Sequence, residues 1–95
     1  EMDAAPLIVA RGRGMVADVI RELATQAGTP VLSYPSVARA IYFTGRVGGL
    51  VRSDLYAAVA TILAFVLRVG GRGDPPAVEA PASARYDETG RRVAD

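Results

Sequence analysis

With 95 residues the chain is one domain at most, since single domains commonly run to roughly 100–150 residues, and a chain this short buries one modest core. Eleven basic against ten acidic residues give a net charge of +1, and no segment gathers the basic density of a nucleic-acid footprint. Cys, His, Asn, Lys and Trp are all absent, which removes disulfides, thiolate nucleophiles, histidine bases and Cys/His metal sites, and leaves carboxylates, hydroxyls and arginines.

Pro6 to Ala10 is a continuous apolar run closed by Arg11 and Gly12, the pattern of a central strand covered on both faces. Met15, Val16, Val19, Ile20, Leu23, Ala24 and Ala27 then form the stripe of an amphipathic helix, with Asp18, Arg21, Glu22 and Gln26 on its wet side. Gly28 suits a left-handed cap, and Thr29 before Pro30 is pushed to extended backbone, so the helix stops there. Val31 to Tyr34 reads as a second short strand. Strand, helix and strand at this spacing predict a right-handed parallel βαβ unit.

Ser36 can cap a short helix with inner positions Val37, Ala40 and Ile41, ended by Gly45. Residues 47–52, with Gly48 and Gly49, read as a loop. Ser53 and Asp54 open a last helix that runs to about Val69. From Leu55 to Leu67 this helix is apolar but for Thr61, too short for the roughly 20 residues of a spanning helix. From Gly70 onward Gly, Pro, Ala and charge replace any periodic face, which predicts a disordered tail over 70–95. The expected fold is therefore α/β: a small mixed sheet with a parallel βαβ core flanked by helices over residues 1–69, plus the tail.

The last helix carries two apolar stripes: Leu55, Val59, Ile62, Val66 and Val69, and then Tyr56, Ala60, Leu63 and Leu67. A single sheet covers one face, so the second stripe either packs on a neighbouring helix or on upstream sequence, or it serves as a docking surface. Gly12, Gly14 and Ala17 satisfy GxGxxA between a predicted strand and helix, as a dinucleotide-binding turn would. The acidic residue that pattern wants roughly 20 residues further on is replaced by Ser33-Tyr34-Pro35, so a tight turn alone explains the glycines. Arg11, Arg13, Arg39, Arg46 and Arg52 are scattered over the chain as solvated surface. Arg72-Gly73-Asp74 spells an adhesion tripeptide that a polar tail gives no support.

Taken together, Ala5-Pro6-Leu7-Ile8-Val9-Ala10-Arg11-Gly12, the stretch Val31 to Tyr42 and the run Asp54-Leu55-Tyr56-Ala57-Ala58-Val59-Ala60 resemble the cytoplasmic domain of the FlhB/YscU family. Members switch substrate specificity in flagellar and related type III export. The resemblance covers residues 4 to about 69. It implies a protein-binding switch rather than an enzyme, with no cofactor, on the cytoplasmic face of the bacterial inner membrane, reached through upstream membrane helices. It also implies that early export substrates of the rod and hook type dock on Ala5, Pro6, Ala60 and Leu63. Further implied partners are the hook-length control protein, other export-gate components and the N-terminal part of the same protein. The family's domain cuts itself within an Asn-Pro-Thr-His turn through its asparagine. No asparagine occurs in this chain, so the resemblance implies a piece downstream of that site. The alternative from the residues alone is a small nucleotide-binding α/β module that uses the Gly12–Gly14 turn.

Overall fold

The computed structural model describes residues 6–93. Three α-helices carry the fold, α1 (Met15–Gln26), α2 (Pro35–Thr44) and α3 (Tyr56–Val69), with 3₁₀ turns at Ser53–Leu55 and Ala82–Ala84. Among the described residues there is no β-sheet; the only pairings are isolated antiparallel bridges, Leu7 with Leu50 and Tyr86 with Arg92. The expected mixed α/β sheet with a parallel βαβ core is thus overturned, and the backbone shows why.

Residues 6–8 do find a partner, but it is the stretch read as a loop. Ile8 N–H donates to Gly49 O (2.9 Å), Gly48 N–H to Ile8 O (2.7 Å) and Val51 N–H to Pro6 O (2.9 Å). Ile8 turns inward while Leu7 and Val9 face out, the alternation of extended backbone with one covered face. The second predicted strand pairs with nothing. Pro30 and Pro35 bracket it and have no N–H to give. Leu32 and Tyr34 instead turn into a groove with Ile41, Ile62 and Val66, so this segment satisfies its apolar side chains without joining a ladder.

The helices follow their local signals more closely. Gly14, at φ 61°, precedes α1 and its carbonyl accepts Asp18 N–H (3.1 Å). At the far end Gly28, φ 77°, lets Thr29 N–H return to Ala24 O (2.8 Å) and its own N–H reach Thr25 O (3.1 Å), the paired bonds of a Schellman stop. No residue of α1 is buried. Ala17 and Ile20 border α2 beside Ala38 and Ile41, while Met15, Val16, Val19 and Leu23 remain exposed, because the sheet expected under them does not form. Pro35 begins α2 at a position where its missing N–H costs nothing. The expected Ser36 cap is not made; its hydroxyl is used elsewhere. Gly45 closes α2, and a Cβ there would overlap Ile8 Cδ1. Gly70, at φ 65°, ends α3.

One core joins these pieces: Ile8, Val37, Ala40, Val51, Leu55, Val59, Ala80 and Ala84. The last two come from the region predicted to be disordered. Residues 71–93 run as a strap along α2 and the start of α3, bent by the 3₁₀ turn at Ala82–Ala84 and by a turn at 87–90 inside the Tyr86–Arg92 bridge, with Ala80 and Ala84 fully buried. Composition misses this because the fully buried anchors are single methyl groups, the half-buried Val78 and Tyr86 that pack beside them form no periodic face, and much of the rest is hydrogen bonding.

Candidate docking surface

The three sides of α3 meet different surroundings. Leu55 and Val59 enter the core, with Ile62 packed against it and Val66 half-buried. Ala58 and Thr61 line a cleft with Ala77 and Val78 of the strap, and Phe65, which shares their face by the i, i+3 and i+7 spacing, is buried. The remaining side is the second stripe. Tyr56 (40% exposed), Ala60, Leu63 (41%) and Leu67 (77%) lie on it in contact with solvent.

Of the residues singled out by sequence, Ala60 and Leu63 fall three apart on this exposed side. Leu63 also borders an apolar groove of about 320 Å³ whose other walls are Pro30, Leu32, Val37, Ile41 and Val66. Pro6 is half-buried and tied through its carbonyl to Val51; it is not part of that groove. Ala5 lies outside the described residues. The groove's wall from Leu32 and Tyr34 was hidden because residues 31–34 read as a strand.

The glycine turn has a packing explanation. No strand leads into it, and a Cβ on Gly12 would overlap Val16 Cγ1, so this glycine lets the chain pass close to α1. The arginines beside it are engaged with α2 and the strap. Arg11 Nη1 donates to Tyr42 O (2.8 Å) and Arg13 Nη2 to Glu88 O (3.3 Å). Their guanidinium carbons lie 5.1 and 5.5 Å from the Tyr42 ring centroid, within cation–π range. Sequence scatter concealed this gathering; the Tyr42-Phe43 pair one helix away is the only local sign of it. Among the described residues no group of His, Cys, Asp or Glu is arranged to hold a metal ion, and no helix is long and apolar enough to cross a membrane.

A polar clasp joins strap to body. Asp54 accepts Arg52 Nε and Nη2 (2.8 Å each) and the Ser83 hydroxyl (2.9 Å). The two-pronged Arg52 contact is the main reason its carboxyl is pulled down to about 2, with partial burial opposing and Ser83 assisting. Arg52 is held correspondingly above its usual range. A folded pKa below the unfolded value of about 3.9 stabilises the chain above pH 4, and that contribution is lost as pH falls toward 2. Because the Arg52 side chain is 40% exposed, solvent screening leaves about 1 kcal/mol. Asp54→Asn is therefore expected to cost about 1 kcal/mol in urea denaturation at pH 7, with the difference vanishing as pH falls through 4 toward 2. Asp87, which takes Thr89 Oγ1 and the Thr89 and Arg91 N–H groups in the last turn, is likewise lowered.

The sequence is similar to known proteins. Flagellar biosynthetic protein FlhB of Escherichia coli K12 is 45% identical over 62 residues, covering 65% of this chain and 16% of that protein. FlhB of Salmonella typhimurium is 40% identical over 80 residues (79% and 21%) and that of Aquifex aeolicus 42% over 67 (70% and 19%). The chain thus spans a small part of the length of the relatives it matches. No solved structure matches it. The profile of the FlhB HrpN YscU SpaS family matches residues 1–66, most of the chain and all three helices up to the last turn of α3, and on that match the chain belongs to this family.

Proposed function

We propose that the chain acts in flagellar protein export as a docking and switch element, not as an enzyme. The observation that carries this is the exposed apolar side of α3, where Tyr56, Ala60, Leu63 and Leu67 meet solvent while Val59 and Phe65 elsewhere on the same helix are buried. Membership of a family whose relatives are flagellar biosynthetic proteins gives that side a use: brief capture of early export substrates of the rod and hook type. Burying one Leu-sized side chain contributes about 1.5–3 kcal/mol, which suits transient contact. Ala5, Pro6, Ala60 and Leu63 are the proposed contacts. The hook-length control protein, other export-gate components and the upstream part of the same protein are the proposed partners. The proposed place of action is the cytoplasmic face of the inner membrane.

Leu63→Ala tests the reading. Thermal unfolding is expected to shift by no more than the equivalent of about 0.5 kcal/mol, as for a surface position, while capture of a purified hook-type substrate weakens at least tenfold. A loss of about 2–5 kcal/mol with unchanged capture would make Leu63 a packing residue and sink the docking role.

A further inference from the structure

The strap is bound largely through its main chain. Four side chains of the folded body reach its carbonyls: Tyr34 Oη donates to Pro76 O (2.6 Å), Arg52 Nη2 to Ser83 O (3.2 Å), Arg39 Nε to Tyr86 O (3.0 Å) and Arg13 Nη2 to Glu88 O (3.3 Å). Every polypeptide carries such carbonyls, so this array grips the main chain of any segment that follows the same path. Side chains add the selectivity: Val78 and Tyr86 pack half-buried against the core, the Ser83 hydroxyl donates to Asp54, and two positions are buried outright. Ala80 and Ala84 are both 0% exposed, four residues apart, where there is room for a methyl group. Ser36 sets the register: its hydroxyl oxygen accepts Ala80 N–H (2.9 Å) and its proton goes to Glu79 Oε1 (2.7 Å). The strap leaves α3 through Gly70, Gly71 and Gly73, at φ 65°, 80° and 87°, positions where glycine pivots without a Cβ penalty.

We propose that the surface beneath the strap, between α2 and the start of α3, is a groove for a polypeptide segment that bends through one 3₁₀ turn between small side chains four residues apart, and that the strap is its built-in occupant, displaced when such a segment competes. The groove is separate from the exposed side of α3 and does not depend on the reading given to that side. A tethered occupant competes at millimolar effective concentration, so the intact chain admits a rival segment only weakly and selects for one that fits the two methyl positions.

A fluorescent peptide of residues 74–93 provides the test. In the full chain Ala84→Arg cannot be buried, so it dislodges the strap and leaves the groove residues untouched. The labelled peptide is expected to bind the Ala84→Arg chain at least tenfold more tightly than the unmodified chain and to raise its melting temperature as it saturates. Adding Arg39→Ala to that chain, or Ala84→Arg to the peptide, should weaken binding at least tenfold. A permuted peptide of the same composition should not bind. The proposal is overturned by absence of saturable binding to the Ala84→Arg chain or by equal binding of the permuted peptide. It is equally overturned by an Ala84→Arg chain that is unfolded and not refolded by the peptide, since the strap is then a fixed part of the core.

Discussion

Replacing Leu55 by alanine is expected to lower the stability of this chain by about 3 kcal/mol. Among the described residues Leu55 is the largest side chain with no exposure at all, and it stands where the 3₁₀ turn hands over to α3, in a cluster drawn from every part of the fold but α1: Ile8 and Val51, Val37 and Ala40 of α2, and Ala80 and Ala84 of the strap. Removing its three outer carbons forfeits their transfer from water and leaves a void whose walls can collapse only in part. Small domains of this length have roughly 5–15 kcal/mol in hand, so the variant loses a large fraction of its stability. Its melting temperature should fall by roughly 15 °C, at about 4–8 °C per kcal/mol. Leu67→Ala, on the exposed side of the same helix, is the matched control and should shift stability by less than about 0.5 kcal/mol. Equal losses at the two positions would mean that α3 is covered on all sides.

That contrast also marks what periodicity can and cannot tell. The two stripes of α3 are legible because each follows from the 3.6-residue repeat of one helix. Gly28 and Gly45 end their helices where predicted because a stop is a property of a few adjacent residues. Which stripe meets solvent is a tertiary fact, and period alone left both alternatives open. The sheet failed for a related reason. Residues 6–10 have a strand's apolar run, but pairing is a relation between distant segments, and the partner 48–51 was disguised by Gly48 and Gly49. Pro30 and Pro35 gave a legible warning against a second ladder. The strap was least legible of all. Its attachment rests on alanine methyls and on Tyr34, Arg39 and Arg52 donating to carbonyls, and neither leaves a repeat in the chain.

Phe65→Ala should cost about 3 kcal/mol by a route independent of Leu55. Phe65 is only 7% exposed yet stands apart from the cluster around Leu55. Ten positions further along the helix place it about 15 Å away on the axis, on the face that carries Ala58 and Thr61 toward the strap. The chain therefore has a second, smaller buried point, formed where the C-terminal half of α3 would otherwise present an aromatic ring to water. Sites this far apart without shared partners add to within about 0.3–0.5 kcal/mol. The two alanine changes together approach the whole stability of such a small chain, so the milder pair Leu55→Val and Phe65→Leu, about 1 kcal/mol each, is the better measurement. Additive losses in urea denaturation would establish two separately packed ends of one helix. A coupling above about 1 kcal/mol would show that the strap and the core give way together, and the independence claimed for Phe65 would then be wrong.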